Sequence, residues 1–254
     1  MTVETKLVGE AMRVVVCQLG PEQCVYTEPG RFLWKTLNVA VDLTTLRPRV
    51  GAPPDLHEPS GGAGARFVHR ALATASGVSK RVIPADSVPL QRYTANGDGL
   101  VAFAGLVPGE VRVLEVAAGR GWYVERDAFL VAESTVEFET VFVGTRSSRK
   151  VADGLVLNRF YGTGTLALAA AGELIELNPA KYDGTLQVDT SCLVAFEESL
   201  RFMLEPGGAP DALSLVTLQG DGVVLLQSVS LEGMAAAIAR RADATELKGR
   251  DPWD

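Results

Sequence analysis

Arg92-Tyr93-Thr94-Ala95-Asn96-Gly97-Asp98-Gly99-Leu100-Val101-Ala102-Phe103 returns later in the chain as Arg159-Phe160-Tyr161-Gly162-Thr163-Gly164-Thr165-Leu166-Ala167-Leu168, with Gly164 lying 65 residues after Gly99. A third copy reads Leu218-Gln219-Gly220-Asp221-Gly222-Val223-Val224-Leu225-Leu226. In each, Gly-x-Gly separates an apolar strand from an alternating one, so the glycines are expected to supply the positive φ of a hairpin turn or bulge. Self-similarity at a near-constant period is the mark of a chain built from repeated units. The spacing continues downstream: Gly109-Glu110-Val111 faces Gly172-Glu173-Leu174 at 63 residues, and Val124 faces Val188 at 64.

The N-terminal segment has no Gly-x-Gly but carries the later part of the unit. Val15 to Leu19 resembles Leu174 to Leu177, and Val25 to Leu33 resembles Val188 to Phe196. The chain therefore starts with half a unit and ends with the other half. This predicts one compact body over 1–247 with three β units, approximately 12–45 plus 213–231, 82–148 and 149–212, followed by a tail at 248–254. The C-terminal Gly-x-Gly hairpin is expected to pair with the N-terminal strands, because closure hides edges that an open sheet must protect.

Runs dense in Val, Leu, Phe and Tyr recur between Gly, Asp and Asn turns, as at Val111 to Val116, Trp122 to Glu125, Thr135 to Val143 and Leu213 to Leu218. The fold class expected is mainly β, with short strands in a sandwich or barrel. Helices are expected only at Ala65 to Ala75 and Leu231 to Leu247, both as packing helices. Arg47 to Gly64 holds Pro48, Pro53, Pro54, Pro59 and a Ser-Gly-Gly-Ala-Gly run, which should not pair in a sheet. Residues 48–80 thus read as an inserted Pro/Gly-rich basic loop with a short helix, which accounts for the long first interval between Val25 and Val124.

The 254 residues are 47% hydrophobic and 22% charged, values of a globular chain with room for a sizeable core. No apolar run approaches the roughly 20 residues of a membrane helix, and Met1 to Val16 lacks the basic start and apolar length of a signal peptide. A soluble, cytoplasmic protein with no membrane span is the expectation. The net charge of −7 makes nucleic acid an unlikely partner. Against it, Arg47, Arg49, Arg66, Arg70, Lys80 and Arg81 face only Asp55 and Glu58 in the same stretch, a local +4 that marks a possible partner-binding surface. Cys17, Cys24 and Cys192 are an odd number, expected as reduced thiols. A tight turn at Gly20-Pro21 would make Cys17 and Cys24 cross-strand neighbours.

The chain resembles the altered-inheritance-of-mitochondria-24-like family, a group with bacterial members of unknown function. The resemblance rests on Gln23 to Leu33, Leu90-Gln91-Arg92-Tyr93 with Gly97 to Val101, Leu106-Val107-Pro108-Gly109, Arg126 to Leu130 and Val188 to Phe196. It covers roughly Val14 to Gln227. It implies a fold similar to the ring-forming tryptophan RNA-binding attenuation protein, a short double-stranded β-helix variant repeated three times per chain, and a homo-oligomer, commonly a trimer. It implies no catalytic residues.

The residues themselves offer little chemistry. His57 and His69 are the chain's two histidines, and no metal-ligand cluster is visible. No Gly-x-Ser-x-Gly elbow is present, and none of the Gly-x-Gly sites continues into the Gly-Lys-Ser/Thr of a phosphate loop. Cys192 aligns with Ala128 or Phe129 of the sister repeat and is expected to face the core. Glu197-Glu198 and Glu137/Glu139 are expected as solvated carboxylates, and most aromatics, including Tyr93, Phe103, Trp122, Phe129 and Phe160, as core. No catalytic residue, cofactor or metal is expected. The leading expectation is a non-enzymatic, self-assembling β scaffold. The alternative is a binding module for a small anionic ligand, lipid headgroup or RNA, through grooves between units or the basic insertion.

Overall fold

A computed structural model describes residues 2–46, 49–50, 88–144, 154–205 and 215–249 of the chain. The described part is mainly β, with several antiparallel sheets and one α-helix. The first strands are β1 (Glu4–Val8), β2 (Val14–Leu19), β3 (Cys24–Thr27), β4 (Phe32–Lys35), β5 (Val39–Leu46), β6 (Arg49–Val50), β7 (Val88–Ala95) and β8 (Gly99–Ala104). They are followed by β9 (Val111–Val116), β10 (Trp122–Glu125), β11 (Phe129–Glu133), β12 (Val136–Gly144), β13 (Gly154–Gly162) and β14 (Gly164–Ala169). The last are β15 (Leu174–Leu177), β16 (Thr185–Asp189), β17 (Leu193–Glu197), β18 (Arg201–Glu205), β19 (Leu215–Gln219) and β20 (Val224–Gln227), then the helix α1 (Leu231–Gly249).

The two strands flanking each Gly-x-Gly organise the pairing. Strand β7 lies between β3 and β5, while β8 lies between β2 and β4. Strand β13 lies between β10 and β12, and β14 between β9 and β11. Strand β19 lies between β16 and β18, and β20 between β15 and β17. Two further contacts join these groups: β3 pairs with β11, and β10 with β17.

The glycines divide their labour. Gly97, Gly162 and Gly220 have φ of +90°, +108° and +121°, the positive φ expected of them, but the turns do not close hairpins: β7 and β8, β13 and β14, and β19 and β20 lie in different sheets, so each turn carries the chain from one sheet to another. The second glycine is required for space as well: a Cβ at Gly99 would sit 2.6 Å from Val39 Cγ2. Hydrophobic packing then gathers into three clusters. Val15, Val25, Tyr93, Phe103 and Leu130 belong to one, Phe129, Phe138, Phe160, Leu166 and Leu168 to a second, and Phe196, Phe202, Val216 and Leu218 to a third. The aromatics expected in the core are there, with Phe129 and Phe160 ring centroids 5.1 Å apart and Tyr123 and Phe196 stacked at 5.2 Å.

Several expectations are revised. The C-terminal strands β19 and β20 pair with β16 and β18 and with β15 and β17, rather than with N-terminal strands, because the nearest complementary strands are their immediate neighbours in sequence. Arg49–Val50 does enter a sheet, parallel to Glu139–Thr140, since no proline falls within that pair. Cys17 and Cys24 are not cross-strand neighbours: β2 pairs with β8 and β3 with β7, so the Gly20 turn carries the chain between sheets. All three thiols are free. Helix α1 starts at Leu231 as expected and touches the 3₁₀ turn Thr190–Cys192, but Glu232 to Arg241 are exposed, Met234 and Ile238 among them, so little of it is packed over that stretch. No described helix is long and apolar enough to cross a membrane. The helix expected at Ala65 to Ala75 lies outside the described residues.

Candidate functional site

No group of three or more His, Cys, Asp or Glu that could hold a metal occurs among the described residues. Every buried side-chain nitrogen or oxygen described has a hydrogen-bond partner, so none is left aimed at an absent ligand. A cavity beside Cys17, lined by Val3, Val25, Val131 and Ala167, holds about 10 Å³, at the lower limit for one water. Burial pushes the Cys17 thiol up to about 12, the behaviour of an inert core thiol. Cys192 is half-buried in the short 3₁₀ turn Thr190–Cys192 rather than in the core.

The carboxylates expected to be solvated are largely engaged. Arg159 holds Glu139 at 2.9 Å and binds Glu198 as well, and its guanidinium lies 5.4 Å from the Tyr161 ring centroid. Glu197 is buried, pairs with Arg120 at 2.7 Å and accepts from the Val223 N–H. Such a network orders the β10–β13–β17 region.

A second polar group sits where β3 leads toward β4 and β10 toward β11. The buried Arg31 donates from Nη2 to the Asp127 carbonyl at 2.6 Å, and the Glu125 carboxylate caps the following 3₁₀ turn by accepting from the Asp127 N–H at 2.8 Å. Burial, reinforced by Asp127, pushes Glu125 up to about 7. Burial also raises Glu28 and lowers Arg31. Asp189 caps the 3₁₀ turn after β16 in the same way, accepting from the Ser191 N–H at 2.8 Å.

The feature that stands apart is apolar. Phe32, Leu33 and Trp34 fill most of β4, an edge strand paired only with β8, and all three are exposed. Leu37, Val41, Leu43 and Leu106 are exposed as well. The exposure contrasts with two strands in the same pairing position. Phe32, Phe129 and Leu193 pair with Phe103, Leu168 and Leu226, and in each strand the next residue is a bulge. At that bulge Leu33 is 51% exposed, whereas Leu130 and Val194 are 0% exposed. The difference is cover: β11 has β3 along its other edge and β17 has β10, while β4 has no second strand among the described residues. An uncovered edge bearing consecutive large apolar side chains is a ready template for another chain.

The residues singled out for partner binding are not brought together in what is described. Arg49 lies in β6, with its backbone opposite Glu139. Arg47, Arg66, Arg70, Lys80 and Arg81 lie outside the described residues. The sequence comparison of Val25 to Leu33 with Val188 to Phe196 would bury the β4 residues; the structure exposes them. One signal of this was present, Lys35 standing where the sister strands carry Ala132 and Phe196.

A family model described as Mitochondrial biogenesis AIM24 matches residues 5–229 and spans every stretch that carried the resemblance. Comparison with curated proteins finds no match. Among solved structures, a structural-genomics protein from Streptococcus pyogenes, determined by X-ray crystallography, is similar at a TM-score of 0.67 and 21% identity, covering 94% of this chain and 99% of its own. At that identity the likeness speaks to the fold.

Proposed function

Because the chain belongs to the mitochondrial biogenesis AIM24 family, we propose that it is a non-enzymatic β scaffold that works by self-assembly, built from three related units and forming a homo-oligomer, with a trimer favoured. The observation that carries this reading is the exposure of Phe32, Leu33 and Trp34 on an uncovered edge whose counterparts in β11 and β17 are buried. The strand pairings support units of 14–104, 111–169 and 174–227, each with its Gly-x-Gly turn near the end, over boundaries that separate the paired strands β12 and β13 and the paired strands β18 and β19. Burying the exposed parts of three such side chains contributes to association between copies, with the rest of the interface supplying the remainder.

Size-exclusion chromatography with light scattering tests the reading. An oligomer at micromolar concentration that Leu33→Asp converts to a folded monomer is the expected result. A strict monomer at that concentration overturns it.

A further inference from the structure

The chain holds four asparagines, Asn38, Asn96, Asn158 and Asn178, in four different settings. An asparagine loses its carboxamide nitrogen when the backbone nitrogen of the next residue attacks it, so its fate depends on that nitrogen and on what holds the side chain. Asn178 is followed by Pro179, which has no N–H to give up. Asn158 is buried within β13, its Oδ1 accepting from Thr140 Oγ1 at 2.9 Å. Asn38 is followed by the β-branched Val39, whose N–H donates to the Thr36 carbonyl at 3.2 Å, and its own Nδ2 donates to the Asp98 carbonyl at 2.7 Å.

Asn96 has none of these restraints. It is exposed in the turn between β7 and β8, and its side chain makes no hydrogen bond among the described residues. The next residue is Gly97, at φ +90°, where a Cβ would meet nothing within 4 Å. The Gly97 N–H donates to no carbonyl among the described residues. The attacking nitrogen is therefore unshielded and the carboxamide free to turn toward it.

We propose that Asn96-Gly97 is a site of spontaneous deamidation, and that the isoaspartyl product opens the corner where β4 passes into β5. The deprotonated Gly97 nitrogen bonds to Asn96 Cγ, the Cγ–Nδ2 bond breaks, and ammonia leaves with the proton the backbone amide gave up. Water then opens the cyclic imide at either carbonyl, leaving an aspartyl or an isoaspartyl residue at position 96 and one new carboxylate. Water is the sole co-reactant.

The isoaspartyl form adds a methylene to the main chain where the corner has no slack. Asn38 grips both sides of the turn, its carbonyl accepting from the Asn96 N–H at 2.9 Å and its Nδ2 reaching the Asp98 carbonyl. Beside it, the Thr36 N–H donates to the Leu100 carbonyl at 2.9 Å and the Leu100 N–H to Thr36 Oγ1 at 3.0 Å. Gly99 lies so close that a Cβ on it would sit 2.6 Å from Val39 Cγ2 and 3.2 Å from Asn38 Nδ2. A longer turn cannot keep all of these contacts, so the grip of Asn38 is released.

The test follows the mass of the tryptic peptide Tyr93 to Arg112 while the full chain stands in warm, mildly alkaline buffer, folded or in denaturant. The peptide should gain about 1 Da as the amide NH2 is exchanged for OH. The folded rate should lie within about tenfold of the denatured one, with Asn38 and Asn158 in the folded chain slower than Asn96 by at least about tenfold. Isomerisation at Asp98-Gly99 in the same peptide leaves its mass unchanged, so the gain reports Asn96. Asn96→Gln, at an exposed side chain without described partners, should abolish the gain and leave the fold intact. In the isoaspartyl fraction, recognised by an isoaspartyl methyltransferase, the amides of Thr36 and Leu100 should exchange hydrogen about tenfold faster. A folded rate below about a tenth of the denatured one, or a gain that survives Asn96→Gln, overturns the site. Unchanged exchange at Thr36 and Leu100 overturns the opening of the corner.

Discussion

Trp34 and Val131 hold the same place in the pairing pattern, each just past a bulge and opposite an alanine, Ala102 or Ala167, yet Trp34 is 41% exposed and Val131 3%. The difference does not lie in the residues, since tryptophan is the larger apolar group. It lies in the strand alongside: Val131 belongs to β11, which β3 covers, and Trp34 belongs to an open edge. Exposure here measures a missing neighbour.

Replacing Trp34 with Asp should therefore separate assembly from folding. The monomer's stability is expected to fall by about 1–2 kcal/mol, because part of the indole is already covered within the chain, and the folded monomer should survive that loss. Native mass should fall to that of one chain. Light scattering and a denaturant titration below the dissociation concentration read the two effects independently.

Gly99→Ala should be costly in a way Gly97→Ala is not. At Gly99 a Cβ would meet Val39 Cγ2 at 2.6 Å and Thr36 Oγ1 at 3.3 Å, displacing side chains that fix β5 and the end of β4. An overpacking loss of about 1–3 kcal/mol is expected. At Gly97 a Cβ meets nothing, so only the +90° backbone angle penalises alanine, by about 1 kcal/mol. Urea midpoints of the two variants compare them directly.

Phe160→Ala should destabilise by about 3–5 kcal/mol. Its ring is fully buried, with the rings of Phe129 and Phe138 at 5.1 and 5.3 Å. Equilibrium unfolding measures the loss, and Phe160→Leu should recover part of it.

Stability should fall as pH rises through the range of Glu125. Its folded pKa of about 7 lies above the ordinary 4.5, so the folded state holds its proton where the unfolded state has released it. Below about pH 4.5 both states are protonated and the group is neutral to stability. Above about pH 7 the ionised carboxylate is carried in a half-buried site, at a cost of about 1–2 kcal/mol after allowance for its contact with water. Glu125→Gln keeps an acceptor for the Asp127 N–H and should flatten that part of the stability profile between pH 4.5 and 7.5. An unchanged profile would assign the pH dependence elsewhere.

Alternating and apolar-dense stretches by themselves determined the strands at Val111–Val116 and Trp122–Glu125, because the two-residue period of a half-buried strand is a local property. Local too are the Gly-x-Gly turns, whose φ above zero only glycine adopts cheaply, and the motifs that carried the family resemblance. Pairing was not local. A repeat can be cut at any phase, so the sequence left open whether each Gly-x-Gly turn begins or ends its unit; it pointed to hairpins where the turns instead pass between sheets, and to N-terminal partners for the strands of 215–227. Hydrogen bonding to β15 through β18 decided otherwise. The same holds for Phe32, Leu33 and Trp34. Their likeness to buried residues of β11 and β17 is written in the chain, but whether a strand lies against them depends on which strand reaches that edge, and among the described residues none does. Burial is a property of neighbours, and only the tertiary structure shows which strand has none.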